Sequence, residues 1–499
     1  MLSGIQAVSR SRLLRTLALI LYGCLAPVRL FTIHTPLLDA DIWWHWRVGQ
    51  WILAFHRFPH AGLFSQYGAT HAWRAYSWGF EVMLAAVFAR FGLLGIPIFF
   101  ILVELALALA LFCALRAVSG SFWCAVFLGA AALTAIDPNL VARPMLFSIV
   151  LFTAEMGILF RASQTGNRRL LYWLPPLFLL WANFHIQFVY GLFPLLLFAL
   201  MQTAGGWARR SGIAWPWPPE GISRQALWGV SGLSLLATLV NPYAAGLYRV
   251  VWIYAHNHIA LAFISEMHAN NFRKSAHYVE LLLTLAAFYL LGRRRGADPF
   301  KLVFLAAASV VAYRTARDAW YIAIPAALAI ADSIRALRQE RGGPDEADTG
   351  RISALQLAAI ALGIAGILTL RGLDSGFSKA AAIKTIEGVY PLRAVRFLRQ
   401  QHPPGPLYNS FNEGGFLIGN LPEYPVSIDG RADLYPDDFL EQYLSVAAAG
   451  AGWQDDPALQ RANLVMLEPY LPLARELQRD PQFQVVYADE QAVVFTRKR

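Results

Sequence analysis

Long apolar stretches recur along the first 370 residues, and they limit the possible folds more than any other feature of the sequence. Some are near the length of about 20 residues that a helix needs to cross a bilayer, and several, such as 170–182, are shorter. Charged residues make up 15% of the chain, against about 25% in soluble domains. The pattern predicts an all-α polytopic membrane bundle of about eleven transmembrane helices. The predicted spans are 13–33, 93–115, 121–136, 144–160, 170–182, 186–203, 225–240, 278–291, 300–313, 319–334 and 352–370.

The net charge of +10 does not indicate nucleic-acid binding, because the basic residues concentrate in short loops between the apolar stretches. They favour alternate loops, as in 292–301 and 335–351. By the positive-inside rule, this bias predicts a cytoplasmic N-terminus. An odd number of spans then places the C-terminus on the outer, periplasmic side.

The composition changes near residue 372, where the long apolar stretches end. We therefore predict a transmembrane domain over 1–371, with a first outer loop at 34–92, and a small periplasmic α/β domain over 372–499. Within the outer loop, apolar spacing predicts two amphipathic helices at the membrane interface. In the C-terminal domain the predicted strands are 406–411, 425–428, 463–467, 484–487 and 492–496, and the predicted helices are 436–446 and 471–480. Asp489-Glu490-Gln491 lies between the last two strands and predicts a hairpin turn.

The segment Asp39–Arg47, which reads DADIWWHWR, follows the first apolar stretch. Its carboxylates could bind a metal or accept a proton, and its arginine offers a planar fork to phosphate. On a helix beginning near Ala40, Asp41, His45 and Gly49 share one face. We take Asp41 as the first candidate for a catalytic base or metal ligand, and Asp39 as the second. The alternatives are an aromatic belt at the bilayer interface and an ordinary helix N-cap.

Further polar residues lie at the predicted outer ends of the spans, where buried polar groups usually face a cavity or one another. Some of these residues also have a purely structural interpretation. Asp137 precedes a proline and could cap a turn. Arg314, Arg317 and Asp318 could form an ion pair that holds helices together. The candidate substrate or phosphate ligands are His45, Arg47, Arg143, Glu266, His268, Arg314 and Arg317, and the candidate ligands for a divalent cation, Mg²⁺ or Mn²⁺, are Asp41 and Asp137.

With these motifs the chain resembles the GT-C superfamily of membrane glycosyltransferases. The segment from Asp41 is similar to an acidic-aromatic motif of the oligosaccharyltransferase catalytic subunit, and the pair Asp39/Asp41 is similar to the D-x-D pair of other members. Asn409–Gly419 is similar to a tryptophan-rich segment of oligosaccharyltransferases, with Phe411-Asn412-Glu413 in place of Trp-Trp-Asp. The whole chain also resembles bacterial GT-C-like membrane proteins of unestablished substrate, which share the Asp39 segment and two C-terminal segments, here Tyr408–Gly415 and Asp429–Tyr435.

The resemblance implies a multi-pass protein of the bacterial inner membrane that transfers a sugar from a polyprenyl-phosphate-linked donor. The acceptor would be an envelope glycan, lipid or protein on the periplasmic face. Asp41 would accept the acceptor's proton, and Arg143, Arg314 and Arg317 would stabilise the departing phosphate. The alternative is a non-catalytic GT-C-like protein, or a transporter or sensor of lipid-linked saccharides.

Polar residues also cluster in two loop-rich segments of the C-terminal domain. We expect these residues, Asn412, Glu413, Asp429, Arg431 and Asp433, to lie within reach of the first outer loop and to support the acceptor side. The alternative is that Gly414-Gly415 and Asp429-Gly430 only form turns.

Overall fold

The computed structural model describes residues 2–31, 36–212, 222–263, 265–294, 298–341 and 352–498, and it is mostly helical. Residues 32–33 of the first predicted span, and 342–351 of the predicted inner loop, lie outside the described residues. The α-helices are α1 Leu2–Cys24, α2 Ala40–Phe55, α3 Trp78–Phe91, α4 Gly95–Ser119, α5 Phe122–Ala135, α6 Met145–Thr165, α7 Leu174–Phe184, α8 Phe188–Arg210, α9 Arg224–Ala237, α10 Gly246–His256, α11 His258–Phe263, α12 Ser275–Gly292, α13 Pro299–Arg314, α14 Trp320–Glu340, α15 Ala354–Asp374, α16 Lys379–Glu387, α17 Leu392–Gln401, α18 Phe411–Asn420, α19 Asp437–Ala447, α20 Pro457–Arg461 and α21 Pro472–Arg479. The strands are β1 Leu407–Asn409, β2 Leu464–Leu467, β3 Phe483–Ala488 and β4 Val493–Arg497.

Each predicted span coincides with a helix, although the boundaries differ. Helix α1 ends at Cys24, because Pro27 follows and the chain continues as a 3₁₀ helix, Pro27–Phe31. Among the described residues, six helical segments are long and apolar enough to cross a membrane. They are Trp78–Ser119, Met145–Thr165, Phe188–Arg210, Ser275–Gly292, Ala316–Glu340 and Ala354–Asp374.

The chain divides into two compact units, and the first comprises residues 1–34, 100–241 and 265–376. Helix α14 lies in its core, and every residue from Trp320 to Ser333 is buried. Asp332 in this helix accepts hydrogen bonds from Lys301 at 2.7 Å and Arg294 at 2.5 Å. A carboxylate buried among apolar helices requires such cationic partners.

The second unit comprises residues 35–99, 242–264 and 377–499. Its sheet has the order β1-β2-β4-β3, with β1 and β2 parallel and the remaining pairs antiparallel. Strands β3 and β4 form the hairpin predicted around residues 489–491. The outer-loop residues lie in this unit, where Val426 exchanges backbone hydrogen bonds of 2.9 Å with Phe64 and Gln66.

Two predictions for the C-terminal segment are wrong. The predicted strand 406–411 is shorter, because helix α18 begins at Phe411. The predicted strand 425–428 forms only an isolated bridge between Val426 and Ser65. Helix α18 carries glycines at positions where another backbone approaches closely: a β-carbon on Gly415 would lie 2.4 Å from the carbonyl oxygen of Ala40. Tertiary packing therefore outweighs the low helix propensity of this glycine-rich segment.

Candidate functional site

The two aspartates of the DADIWWHWR segment have different structural roles. Asp39 is the N-cap of α2, and its side chain accepts a hydrogen bond from the backbone nitrogen of Asp41 at 2.9 Å. Its backbone is extended, as the cap position requires. Asp41 lies in the first turn of the helix. The helix begins at Ala40, as predicted, and the cap alternative applies to Asp39.

The Asp41 carboxylate is held on one side by an indole. Trp44, one turn further along α2, donates a hydrogen bond from Nε1 to Oδ1 of Asp41 at 2.9 Å. Gly430 also lies close to this carboxylate, and an added β-carbon there would be 2.5 Å from the same Oδ1 atom. The first turn of a helix stabilises negative charge, because its free N–H groups and dipole point toward it. Asp41 is therefore a partly buried carboxylate with a fixed orientation.

His45 lies in the interface between α2 and α3. Its Nδ1 is 3.1 Å from Oε1 of Glu81, and both side chains are buried. The His45 ring lies 3.5 Å from the ring of Trp44. Gly49 lies against the same helix α3, where an added β-carbon would be 1.9 Å from the carbonyl oxygen of Glu81. His45 and Gly49 thus share the predicted face, and that face packs on a neighbouring helix.

Arg47, the last residue of the DADIWWHWR segment, is partly buried. Its Nη1 donates to Oε1 of Gln50 at 3.0 Å, and its guanidinium lies 5.9 Å from the centroid of the Phe64 ring.

Asp429, Arg431 and Tyr435 form a buried hydrogen-bonded group in the C-terminal segment. Arg431 donates to both carboxylate oxygens of Asp429, and Tyr435 donates to Oδ2 at 2.8 Å. Arg431 also donates to the carbonyl oxygen of Leu63 at 2.9 Å, which ties the group to the outer loop. Its guanidinium lies 4.8 Å from the centroid of the Trp73 ring. Burial opposes the charge of Arg431, but Asp429 outweighs it and raises the pKa of the guanidinium. Asp429 and Arg431 are thus bound to the protein itself, and of the Arg431 side-chain nitrogens only Nη1 is buried without a hydrogen-bond partner.

Asp433 follows this group and contacts the segment 242–264. Its Oδ1 accepts a hydrogen bond from the hydroxyl of Tyr254 at 3.3 Å. Burial raises the pKa of Asp433 to about 6, although the nearby Arg431 opposes the shift.

Glu413 and Glu468 are buried at the carboxyl ends of the parallel strands β1 and β2. Glu468 accepts a hydrogen bond from the amide of Asn412 at 3.4 Å. Burial, together with Glu468 and Asp489, raises the pKa of Glu413 well above its usual range. The sequence pattern predicts Asn412 and Glu413 as acceptor-side residues but gives no signal for Glu468, because a single glutamate after a strand is an ordinary pattern.

In the first unit, Glu266 lies between two arginines. Arg143 donates from Nη1 to Oε1 of Glu266 at 2.5 Å, and Nη1 of Arg317 lies 3.8 Å from the same oxygen. Burial alone would raise the pKa of Glu266, but the two arginines outweigh it and lower the pKa. Three of the predicted phosphate ligands therefore form one cluster, although they are more than 50 residues apart in the chain.

Asp137 forms a salt bridge with Arg29. Next to it, the Asn139 amide donates to the carbonyl oxygens of Ala316 and Arg317 at 3.0 and 2.9 Å. These bonds join the segment after α5 to the segment before α14. They bring Asp137 close to the cluster of Arg143, Glu266 and Arg317.

The remaining predicted ligands of the first unit lie near this cluster in the chain. The carbonyl oxygen of His268 accepts a hydrogen bond from the backbone nitrogen of Ala316 at 2.8 Å, and the His268 side chain is exposed. Arg314 is the exposed last residue of α13. Asp318 is buried and accepts a hydrogen bond from the hydroxyl of Tyr190 at 3.1 Å. Tyr190 was not identified from the sequence, because a tyrosine within an apolar span carries no distinctive signal.

The candidate ligands for a divalent cation, Asp41 and Asp137, both have partners within the protein. Among the described residues, no group of three or more histidine, cysteine, aspartate or glutamate side chains is arranged to hold a metal ion. Asp137 already faces the cationic Arg29, and Oδ1 of Asp41 accepts a hydrogen bond from Trp44. Hard divalent cations usually require several oxygen ligands around one point.

Comparison with known proteins gives structural matches only. No protein-family model matches the chain, and no curated protein sequence matches it. A solved structure of the archaeal oligosaccharyltransferase AglB from Archaeoglobus fulgidus, in complex with an inhibitory peptide and a dolichol-phosphate, matches with a TM-score of 0.52 and 13% identity. The match covers 91% of this chain and 69% of that one.

A second solved structure is of the Archaeoglobus fulgidus oligosaccharyltransferase tethered to an acceptor peptide that contains the NVT sequon. It matches with a TM-score of 0.52 and 11% identity, over 97% of this chain and 74% of that one. At these identities the comparison shows the fold. The chain therefore shares the fold of these two archaeal oligosaccharyltransferase structures.

Proposed function

We propose that this protein is a membrane glycosyltransferase of the GT-C type that transfers a sugar from a polyprenyl-phosphate-linked donor to an envelope acceptor. The observation that carries the proposal is the Asp41 carboxylate, which is oriented by Trp44 in the first turn of α2. The shared fold supports it, because one matching structure contains a dolichol-phosphate and both contain a peptide. The charge bias of the loops favours the periplasmic face of a bacterial inner membrane.

In the proposed reaction, the nucleophilic oxygen or nitrogen of the acceptor attacks the anomeric carbon of the donor sugar. Its proton passes to Asp41 as general base. The bond between the anomeric carbon and the phosphate oxygen breaks, and its electron pair remains on the polyprenyl phosphate. Negative charge increases on that phosphate, so arginines that bind it stabilise the transition state. We assign this role to Arg143 and Arg317, with Arg314 as a further candidate.

The arginine assignment has a physical basis within the first unit. Arg143 and Arg317 both face one carboxylate, Glu266, so a phosphate bound in its place would meet both guanidinium groups. A guanidinium can bind a phosphate oxygen with two parallel hydrogen bonds. Glu266 then holds the arginines in place until the phosphate binds.

The test compares a deletion strain with strains that express the wild-type protein, Asp41→Asn or Asp39→Asn at equal membrane abundance. Lipid extracts and envelope glycans are analysed by mass spectrometry. We expect the deletion and Asp41→Asn strains to accumulate a polyprenyl-linked sugar and to lack one glycan modification. Asp39→Asn should behave as the wild type, because asparagine is also a good N-cap. If the protein is non-catalytic, a transporter or a sensor, the glycan modification should be lost in the deletion strain but kept in the Asp41→Asn strain. Unchanged glycans and lipids in both the deletion strain and the Asp41→Asn strain would refute the proposal.

A further inference from the structure

Gly430, in the C-terminal segment, lies close to the Asp41 carboxylate. A β-carbon on Gly430 would be 2.5 Å from Oδ1 of Asp41 and 3.6 Å from its Cγ. In protein structures a β-carbon essentially never lies within 3.0 Å of a heavy atom from a residue elsewhere in the fold. A side chain at position 430 and the present orientation of Asp41 therefore exclude each other.

The backbone conformation does not explain the glycine at this position. Gly430 is not among the residues with positive φ, so other residues could adopt its backbone conformation. A turn at Asp429-Gly430 therefore does not by itself explain the glycine, because a turn without positive φ does not require glycine. The contact with Asp41 is what distinguishes glycine from alanine here.

The two neighbours of Gly430 fix its position. Asp429 and Arg431 are buried and joined by two hydrogen bonds of 2.8 and 2.7 Å. The backbone nitrogen of Arg431 also donates to Oδ1 of Asp429 at 3.0 Å, which closes the turn around Gly430. The Arg431 guanidinium lies 6.0 Å from the centroid of the Trp44 ring, the same indole that donates to Asp41.

We infer that Gly430, held by the Asp429–Arg431 pair, is a positioning residue that keeps the Asp41 carboxylate in its hydrogen bond to Trp44. The backbone of this turn occupies the space next to the carboxylate. A carboxylate in the first turn of a helix could otherwise rotate between side-chain conformers. The backbone at Gly430 and the indole of Trp44 together select one of these conformers. The contact stands independently of the reaction, and its catalytic consequence rests on the proposed function.

The variant Gly430→Ala tests this inference directly. The atom that the new methyl group meets is the end of a side chain, so we expect Asp41 to rotate away while the fold is kept. The matched control is Gly388→Ala in the same unit, whose β-carbon would make only ordinary contacts from 3.5 Å. Both proteins are purified as full chains in detergent with 5-fluorotryptophan incorporated, and Trp44→Phe identifies the fluorine resonance of Trp44.

We expect the Trp44 resonance to shift in Gly430→Ala and to stay unchanged in Gly388→Ala. An unchanged Trp44 resonance in a folded Gly430→Ala protein would overturn the inference. In the lipid and glycan assay above, Gly430→Ala should reduce transfer by up to about 100-fold, the scale of a misplaced catalytic group. Wild-type transfer in Gly430→Ala, with loss of transfer in Asp41→Asn, would overturn the catalytic consequence. A shifted resonance with full transfer in both variants would instead refute the proposed function and leave the contact established.

A double-mutant cycle covers the case in which Gly430→Ala is unstable. Asp41→Ala removes the oxygen that the new methyl group would meet. We expect Gly430→Ala to lower the thermal unfolding midpoint less in the Asp41→Ala background than in the wild-type background. An equal loss in both backgrounds would show that the two residues are not coupled, and would overturn the inference.

Discussion

Arg431 donates two hydrogen bonds to the carboxylate of Asp429, from Nε at 2.8 Å and from Nη2 at 2.7 Å. Both side chains are almost completely buried. The bidentate geometry matches the planar guanidinium to both carboxylate oxygens and is among the strongest protein hydrogen-bond arrangements. The pair therefore makes a fixed point within the second unit.

Breaking this pair should be costly. We expect Asp429→Ala to lower the free energy of unfolding by about 3–5 kcal/mol, because it leaves the buried Arg431 charge without its partner. The measurement is thermal unfolding of the full chain in detergent. The control is Glu476→Ala, which removes one partner of an exposed ion pair with Arg479 and should cost about 1 kcal/mol or less. Similar losses in the two variants would contradict the prediction.

The two aspartates at the start of α2 should respond in opposite ways. Asp39→Ala removes the N-cap and should lower the free energy of unfolding by about 1 kcal/mol. Asp41→Asn keeps an oxygen that can accept the hydrogen bond from Trp44 but is a much weaker base, so stability should be nearly unchanged and turnover about 100-fold lower. Thermal unfolding and the lipid-linked sugar assay give the two readouts. Full turnover in Asp41→Asn would remove its role as a base.

The stabilising effect of Glu266 should depend on pH. Its pKa is lowered in the folded protein, so its ion pairs stabilise the fold fully above the usual pKa of about 4.5. This contribution is lost as pH falls through the lowered pKa, where the carboxylate takes up a proton. We expect Glu266→Gln to unfold at a lower temperature than the wild type at pH 7, and the difference to shrink below about pH 4. A difference that is constant with pH would contradict the ion-pair explanation.

The orientation of the chain in the membrane is a separate prediction. A reporter fused after Arg499 should be active only in the periplasm, and one inserted at Gly342 only in the cytoplasm. Alkaline phosphatase and a fluorescent protein that folds only in the cytoplasm provide complementary readouts. If both positions report the same compartment, α15 does not cross the membrane and the predicted orientation of the C-terminal domain is wrong.

Helix α2 shows how far local sequence signals extend. Asp39 precedes a run of apolar residues, and the predicted start near Ala40 agrees with the observed helix. The hairpin between β3 and β4 was predicted equally well, because two short apolar runs flank a polar turn. Capping and hydrophobic periodicity act over a few residues, so they can be read from a single sequence.

Helix α18 shows where local signals fail. The segment around Gly414, Gly415 and Gly419 has poor helix propensity, and the start of α18 was predicted as the end of a strand. The helix forms because the missing side chains let it approach α2: a β-carbon on Gly419 would lie 2.9 Å from the β-carbon of Trp43. That contact joins residues far apart in the chain, and single-sequence periodicity contains no information about it.

The features of the candidate site also differ in whether the sequence alone predicts them. The sequence alone determined the residue types that could carry chemistry and the local role of Asp39, because both follow from neighbouring residues. Only the tertiary structure decided that Arg143 and Arg317 share Glu266, that His45 pairs with a buried glutamate, and that Gly430 lies against Asp41. These relationships depend on how distant segments pack, and packing is fixed by the fit of whole surfaces rather than by the order of nearby residues.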